Sequence, residues 1–379
     1  MSDVKVFAMY LPQYHETEEN SKFWGDGFTD WISVKKAESL YDGHVQPKVP
    51  LNELYYDLSR EDSIKWQADL ARKYGVDGWG IYHYWFNSEK CMLTKPAEII
   101  LKNKDIQMSY FFAWDNASWK RTWSKLKGNA WSPIEDGIDK NIKTISPEIL
   151  IKYQLGDECD WDNHFNYLLP YFKDSRYVKK NNKPLFLIYN YCDEILKMID
   201  YWNHLSIKNG LNGVDIVFSY NPFHGIPQDV FKFKYEPLYS GWGRTIDRAL
   251  RVINKIKEHK DLALYDYDKV WKNLINSAKR CKDNKMYYGA FVGYDDSPRR
   301  GNNGKAIIGF SPAKFAKYLK ELIKICQKQE KEYIFLTAWN EWSEGAHLEP
   351  DIEHEYSYLK AYQWAKEGKV YEKIDKRQN

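Results

Sequence analysis

The sequence has few cysteines, no long apolar run and little net charge, and each absence removes a class of protein. Its 379 residues include five cysteines, which are widely spaced and form no Cys-x-x-Cys pair, so neither a disulfide framework nor a zinc site is indicated. No run approaches about 18 apolar residues, the length that a membrane-spanning helix needs. The formal net charge is +3, and no stripe of lysine and arginine predicts binding to nucleic acid.

The amino terminus also lacks the pattern of an export signal. The opening stretch, MSDVKVFAMYLPQY, has no basic segment followed by a long apolar one, which predicts a reducing, cytoplasmic setting. No His-Glu-x-x-His or Gly-x-Ser-x-Gly motif occurs, and the nine histidines form no ligand cluster. We therefore expect neither a metal ion nor another cofactor.

Aromatic residues, by contrast, are abundant. They make up 17% of the chain and include 16 tryptophans and 30 tyrosines. Part of this content builds the core, but Trp and Tyr also combine a flat apolar face with a hydrogen-bonding edge. Sugars have an apolar C–H face and a rim of hydroxyls, so the composition is suited to carbohydrate recognition.

Short β-rich runs alternate with longer helix-like segments along the whole chain. The predicted helix over 311–329 begins with Ser311 and Pro312, a favourable N-cap and first-turn pair. Most predicted strands are apolar throughout their first half, as is typical of strands buried on both faces of a parallel sheet. These strands span residues 5–11, 76–86, 107–114, 183–190, 214–221, 232–239, 285–295 and 333–339. This order predicts an α/β fold, a (β/α)8 barrel of the TIM type, as one domain over residues 1–379.

Two segments are too long for a minimal barrel. Residues 12–58 are rich in Trp, Tyr, Pro and Gly, and residues 115–165 carry four tryptophans. They follow the first and third predicted strands. Long βα loops at these places would project from the carboxyl face of the barrel, where barrels of this type build their active sites.

Two glutamates stand three residues apart directly after the last predicted strand, in the stretch NEWSEG. Once the chain turns, which Gly345 permits, Glu341 and Glu344 can point into one cleft. Cleavage of a glycosidic bond needs two such carboxyl groups, one to give a proton and one to act as nucleophile or base. Mutual repulsion and aromatic surroundings would raise one pKa and separate the two roles. A solvated acidic turn is the alternative that the spacing leaves open.

Several long stretches resemble the WbsX family, whose members are encoded in bacterial O-antigen and other surface-polysaccharide clusters and are commonly labelled glycosyltransferases. The resemblance runs from about residue 4 to 365 and is carried by YLPQYHETEENSKFWGDGFTDWISVKKA, YGVDGWGIYHYWF, KPLFLIY, DDSPRRG and AWNEWSEGAHLEPD. The NEWSEG stretch is also similar to the Asn-Glu-Trp-x-Glu-Gly signature of family 99 glycoside hydrolases, the endo-α-mannosidases.

The second similarity implies a (β/α)8 barrel with both catalytic acids in this motif and substrates of the manno configuration, such as mannose or rhamnose. It implies that Glu341 helps to remove the proton of the sugar's 2-hydroxyl, giving a 1,2-anhydro sugar, and that Glu344 acts first as acid and then as base. Asn340 would be a neighbouring substrate contact. Two tuned carboxyl groups are needed here as in other glycosidases.

One segment departs from the family pattern. After the third strand, members read roughly Trp-Ala-Asn-Glu-Asn-Trp-Thr-Arg-Arg-Trp, whereas this chain reads WDNASWKRTW over 114–123 and has Ala117 at the glutamate position. A lost acid in a binding loop would change which hydroxyls are recognised. The identity of the substrate is therefore not carried over from the family.

Aromatic and polar residues near the predicted strand ends are expected to bind the substrate. They are Tyr10, Trp24, Trp31, Tyr82, His83, Trp85, Trp114, Asn116, Trp119, Arg121, Tyr189, Arg299, Asn340 and Trp342. Taken singly, several of them also fit core or turn-forming roles. Arg299 and Arg300 either contact an acidic group of the substrate or pair with Asp295 and Asp296.

We therefore expect a retaining glycoside hydrolase or transglycosylase that acts on α-linked manno-configured residues of a bacterial oligosaccharide or polysaccharide. Two other classes stay open. The family label favours a glycosyltransferase that uses a nucleotide-sugar donor, although the Asp-x-Asp triplets at 160–162 and 266–268 each precede a helix-like run, where N-capping accounts for them. A non-catalytic carbohydrate-binding protein would need the aromatic residues but not the paired acids.

Overall fold

Eight parallel strands close into a barrel in the structure, a computed structural model that describes residues 4–120, 149–222, 225–242, 253 and 262–369. The strands are β1 (Lys5–Tyr10), β2 (Gly78–Asn87), β3 (Tyr110–Trp114), β4 (Lys183–Ile188), β5 (Asp215–Ser219), β6 (Phe231–Lys234), β7 (Met286–Phe291) and β8 (Tyr333–Thr337). Each pairs with the next along the chain, and β1 pairs with both β2 and β8, which closes the ring. The predicted (β/α)8 barrel and all eight predicted strands are confirmed.

Two strands end well before their predicted carboxyl ends: β7 stops at Phe291 instead of residue 295, and β6 shows the larger difference. The sixth run was expected to extend to residue 239, but β6 ends at Lys234 and a short helix begins at Leu238. Pro237 lies between them and has no N–H to donate to a neighbouring strand, so the ladder stops before it.

Helices separate most of the strands. They are α1 (Glu18–Trp24), α2 (Asp30–Lys35), α3 (Glu61–Lys73), α4 (Lys95–Lys102), α5 (Glu158–Lys173), α6 (Asp193–Lys208), α7 (Leu238–Gly241), α8 (Tyr267–Arg280), α9 (Ser297–Arg300), α10 (Pro312–Lys328) and α11 (Ser357–Lys366). The cap predicted for α10 is present, because the Ser311 hydroxyl accepts a hydrogen bond from the Lys314 N–H. None of the helices in the described ranges is long and apolar enough to cross a bilayer.

Both Asp-x-Asp triplets serve as helix caps. Asp266 is the N-cap of α8, and its carboxylate accepts a hydrogen bond from the Lys269 N–H at 2.8 Å. Asp160 completes a capping box with Asp157 at the start of α5. Each carboxylate therefore accepts from a backbone donor that a helix start leaves unpaired. The triplet at 266–268 begins at an N-cap as predicted, whereas the triplet at 160–162 lies inside the first turn of α5 rather than before it.

Aromatic rings fill the inside of the barrel below the loops. Phe7 of β1 meets Phe111 of β3 at 5.2 Å between ring centroids, and Phe233 of β6 meets Phe335 of β8 at 4.9 Å. Gly80 in β2 makes room for this layer, since a Cβ there would lie 2.7 Å from the Phe111 ring. The packed rings form a rigid floor, so a site on this barrel has to lie above them, at the carboxyl ends of the strands.

Candidate active site

A cavity of about 450 Å³ lies at the carboxyl end of the barrel. Residues in or just after seven of the eight strands line it, and the long loops after β1 and β3 complete the wall. The lining residues are Leu11, Gln13, Trp24, Tyr82, Tyr84, Asp115, Ser118, Trp119, Leu150, Tyr189, Ser219, Tyr235, Leu238, Arg299, Glu341 and Glu344. The surface is therefore largely aromatic and carries three carboxyl groups.

The segment after β8 folds so that both predicted acids face this cavity. Residues Asn340–Glu341 pair antiparallel with Ala346–His347, and a 3-10 turn, Trp342–Glu344, connects them. Gly345 closes the turn at φ +56°, in the left-handed region that favours glycine. This tight hairpin turns the side chains of Glu341 and Glu344 into one space.

One guanidinium group holds the two acids. An Arg299 nitrogen lies 2.8 Å from Glu344 Oε1, and its other terminal nitrogen lies 3.8 Å from Glu341 Oε2 and 3.1 Å from Asp30 Oδ2. The side chains of Arg299 and Asp30 are 9% and 1% exposed, so these charges interact at low dielectric. Both glutamate carboxyl groups therefore lie beside the same cation, within reach of one sugar residue.

The two acids have different environments. Burial raises the pKa of Glu341 well above its ordinary value, and the negative charge of Glu344 raises it further, while Arg299 opposes both effects. Glu344 is partly exposed and makes the shorter contact with Arg299. The site thus favours a proton on Glu341 in the absence of a ligand.

Tyr14 fixes the backbone on both sides of Glu341. Its hydroxyl donates to the Asn340 carbonyl at 2.6 Å and accepts from the Trp342 N–H at 3.1 Å. The Asn340 side chain exchanges two hydrogen bonds with the backbone of Leu11, at 2.7 and 3.0 Å. These bonds join the loop after β8 to the loop after β1.

A second set of contacts holds Trp342. The Trp342 indole donates to Glu349 at 2.7 Å, and its ring stacks on His347 at 3.8 Å between centroids. Glu349 also accepts from Tyr56 and Gln67 at 2.7 Å each. Burial raises the pKa of Glu349 to about 7, although these hydrogen bonds act to lower it. His347 and Glu349 support the hairpin from behind.

The structure brings part of the predicted binding set into the cavity. Trp24, Tyr82, Trp119, Tyr189 and Arg299 line it together with the two glutamates. Arg300 pairs instead with Asp296 at 3.1 Å. Arg121 lies outside the residues that the structure describes.

Three predicted residues near β2 and β3 face away from the cavity and need correction. The His83 and His164 rings meet at 2.8 Å between Nε2 atoms, Trp85 stacks flat on His164, and the Trp114 indole donates to the Trp85 carbonyl. Successive side chains of a strand point to opposite faces, so Tyr82 and Tyr84 line the cavity while His83 and Trp85 pack against α5. His83, Trp85 and Trp114 are wall-supporting core residues.

The other five predicted residues that do not line the cavity also satisfy internal partners, and we correct their role likewise. Tyr10 donates to Gln67, and the Trp31 indole donates to the Tyr56 carbonyl. Asn116 exchanges two hydrogen bonds of 2.7 Å with the Asn190 backbone, which joins the ends of β3 and β4. Asn340 and Trp342 are held as described above, so their polar atoms are used by the protein itself.

Sequence reasoning missed several lining residues. They are Leu11, Gln13, Tyr84, Asp115, Ser118, Leu150, Ser219, Tyr235 and Leu238. Alternation of side chains along a strand would have predicted Tyr84 to line the cavity, because it stands two residues after Tyr82 and so lies on the same face of β2. Leu150 reaches the cavity through pairing of the short strands Trp119–Lys120 and Ile149–Ile151, for which the sequence carries no signal.

The described residues contain no group of three His, Cys, Asp or Glu side chains with the geometry of a metal site. Arg299 lies beside the two glutamates instead, as the charge that stabilises them. The donor set of the hairpin is thus suited to proton transfer, with both carboxyl groups beside a fixed cation.

We expect Tyr14→Phe to weaken the site without removing a reacting group. Loss of two buried hydrogen bonds should cost about 1–3 kcal/mol of unfolding free energy. Because the phenol holds both peptide groups that flank Glu341, kcat should fall about 10- to 100-fold through misplacement of that carboxyl. Tyr191→Phe, which removes an exposed hydroxyl bonded to Asp193, is the control. Equal kcat values for the two variants would contradict this role.

The chain is similar to known proteins over nearly its whole length. A family model described as Glycosyltransferase WbsX matches residues 6–362. Relatives from two strains of Xanthomonas campestris pv. campestris, each named Uncharacterized protein WxcX, are 26% identical over 365 residues. The match covers 94% of this chain and 48% of each relative, so the chain spans about half the length of the curated relatives it matches.

Solved structures with a similar fold include glycoside hydrolases. The GH99 endo-alpha-mannosidase from Bacteroides thetaiotaomicron matches with a TM-score of 0.54 and 13% identity, over 97% of this chain and 98% of that one. A structure named Glycoside hydrolase-like protein matches with a TM-score of 0.56 and 13% identity, over 98% and 95% of the two chains. At such low identity the likeness shows a shared barrel fold and nothing about substrate.

Proposed function

Because the chain belongs to the family described as Glycosyltransferase WbsX, we propose that it is a carbohydrate-active enzyme that cleaves or transfers α-linked manno-configured residues with retention. Mannose and rhamnose residues of a bacterial polysaccharide fit this proposal. The observation that carries it is the placement of Glu341 and Glu344 beside one guanidinium in an aromatic-lined cavity. Two carboxyl groups with different environments supply the acid and the base of glycosidic cleavage.

The proposed reaction proceeds in two steps. Glu341 takes the proton of the axial 2-hydroxyl while that oxygen attacks C1 from the side opposite the leaving group. The bond between C1 and the glycosidic oxygen breaks, and Glu344 gives this oxygen its proton. A water or an acceptor hydroxyl then opens the 1,2-anhydro sugar, with Glu344 as base and Glu341 returning the proton to O2.

The electrostatics of the cavity fits one stage of this cycle. After the first step Glu341 holds a proton, which is the state that burial favours for this carboxyl group. The first step itself begins with Glu341 ionised, so the proposed mechanism requires that substrate binding displace the proton from Glu341 before the 2-hydroxyl attacks.

The charges of the cavity also bear on the glycosyltransferase alternative. Three carboxyl groups, those of Asp115, Glu341 and Glu344, line the cavity, and the lining cation Arg299 is engaged by acids of the protein. A nucleotide diphosphate placed here would meet carboxyl groups rather than a cluster of cations among the described lining residues. The described part of the chain thus favours a neutral glycan over a nucleotide sugar.

The test is turnover of aryl α-mannosides and α-rhamnosides and of the matching α-linked oligosaccharides, with and without EDTA and with nucleotide sugars added. We expect hydrolysis or transfer with retention at C1, followed by NMR, at rates that EDTA leaves unchanged. Turnover that requires a nucleotide sugar would establish the transferase instead. Binding without turnover, unaffected by Glu341→Gln or Glu344→Gln, would indicate a carbohydrate-binding protein.

A further inference from the structure

Asp115 is a carboxylate that the proposed cleavage does not use. It follows β3 directly and lines the cavity. Its backbone N–H donates to the His83 carbonyl at 3.0 Å. The side-chain amide of the next residue, Asn116, donates to the Asn190 carbonyl and accepts from the Asn190 N–H. The main chain at Asp115 is therefore fixed, and its side chain is presented to the cavity from a rigid strand end.

No side chain in the described part of the protein satisfies this carboxylate. Burial raises the pKa of Asp115 to about 6, and no hydrogen bond or opposite charge of the described residues opposes that shift. The lining guanidinium of Arg299 is directed at Asp30, Glu341 and Glu344. The residue is partly exposed and lines the cavity, so no internal contact among the described residues accounts for an acid here.

Asp115 lines the same cavity as the glutamate pair and Tyr84. Burial raises the pKa of the Tyr84 hydroxyl, and the negative charges of Asp115 and Glu341 each raise it further. A sugar bound in this cavity would therefore be surrounded by acids from two places, the end of β3 and the hairpin after β8.

We propose that Asp115 is a specificity-determining residue whose carboxylate accepts hydrogen bonds from the 3- and 4-hydroxyls of the sugar that is cleaved. An ionised carboxylate has acceptor sites for two such donors, and burial among aromatic rings strengthens both bonds. The proposal rests on the proposed function, because the position of the 2-hydroxyl at Glu341 sets the direction of the ring.

The test compares aryl α-mannoside and aryl α-rhamnoside with their 3-deoxy and 4-deoxy forms, in the wild type and in Asp115→Ala. A site built around a hydroxyl rejects an analogue that lacks it because a buried group loses its partner. The wild type should lose about 100-fold or more in kcat/KM on at least one deoxy form. Asp115→Ala should lose a similar factor on the parent glycoside and should no longer distinguish it from that deoxy form.

Stability separates this role from a structural one. Asp115→Ala should melt close to the wild-type Tm at neutral pH, since no described side chain bonds to this partly exposed carboxylate, whereas loss of a structural acid would lower Tm. Asp105→Ala, which removes an exposed carboxylate outside the cavity, is the control for loss of charge.

Equal discrimination against the deoxy forms in wild type and Asp115→Ala would overturn the proposal while leaving glycosidic cleavage intact. If no glycoside is turned over, the proposed function fails first. Saturation-transfer NMR with the same parent and deoxy glycosides then still tests the role of Asp115, because binding of each glycoside to the wild type is compared with its binding to Asp115→Ala. Binding that Asp115→Ala leaves unchanged would reject the role.

Discussion

Glu341→Gln and Glu344→Gln are each expected to lower kcat/KM on α-mannosides with alcohol leaving groups about 100- to 10,000-fold, the usual contribution of a positioned acid or base. Glutamine keeps the size of each side chain but neither gives nor takes the proton. The fold should be retained, because the hairpin is held by Tyr14, Asn340 and Glu349 rather than by the two acids. Initial rates and circular dichroism of the purified variants check both statements.

The leaving group distinguishes the two roles. A dinitrophenolate departs without protonation, so Glu344→Gln should regain most of its cleavage rate on a 2,4-dinitrophenyl α-mannoside. Glu341→Gln should stay slow, because the 2-hydroxyl still lacks its base. Glu89→Gln, a change at an exposed position, should match the wild type on every substrate. Recovery of Glu341→Gln in place of Glu344→Gln would reverse the assignment.

The sequence predicted the barrel and the glutamate pair because both depend on local signals. Strands such as β4 and β8 are apolar runs buried on both faces, and such runs are recognisable without knowledge of their neighbours. Gly345 after two closely spaced acids indicated a tight turn at a strand end. The resemblance to the WbsX family, drawn from the same motifs, is confirmed over residues 6–362.

The cavity wall was predicted less well because it depends on which face each side chain takes. In β2 both faces are buried, so no alternation of apolar and polar residues tells Tyr84, which faces the cavity, from His83, which faces α5. Rings behind the wall, such as Trp31, have the same chemistry as rings in it, such as Trp24. Only the packing of distant segments separates them, and a linear pattern does not contain that packing.

Replacing Arg299 by methionine is expected to have the largest effect on stability. The change leaves Asp30, Glu341 and Glu344 facing one another without their shared cation. Removal of one partner from a buried charge cluster costs about 3–5 kcal/mol of unfolding free energy. Denaturant unfolding at neutral pH measures this loss, and activity should fall with it because both glutamates lose the cation that they share.

The pH dependence of that loss identifies its cause. The pKa of Glu341 is already raised by burial in the wild type, and Arg299 opposes that rise, so removal of Arg299 raises the folded-state pKa of Glu341 further above its unfolded value. Groups raised in this way contribute full stability below the unfolded pKa and lose it as pH rises through the folded pKa. The difference between wild type and Arg299→Met should therefore shrink toward acid pH, where the carboxyl groups become neutral. The control is Arg60→Met, which breaks an exposed pair with Asp62 and should change the free energy of unfolding little at any pH. If Arg299→Met instead loses the same stability at all pH values, then packing rather than charge makes Arg299 necessary.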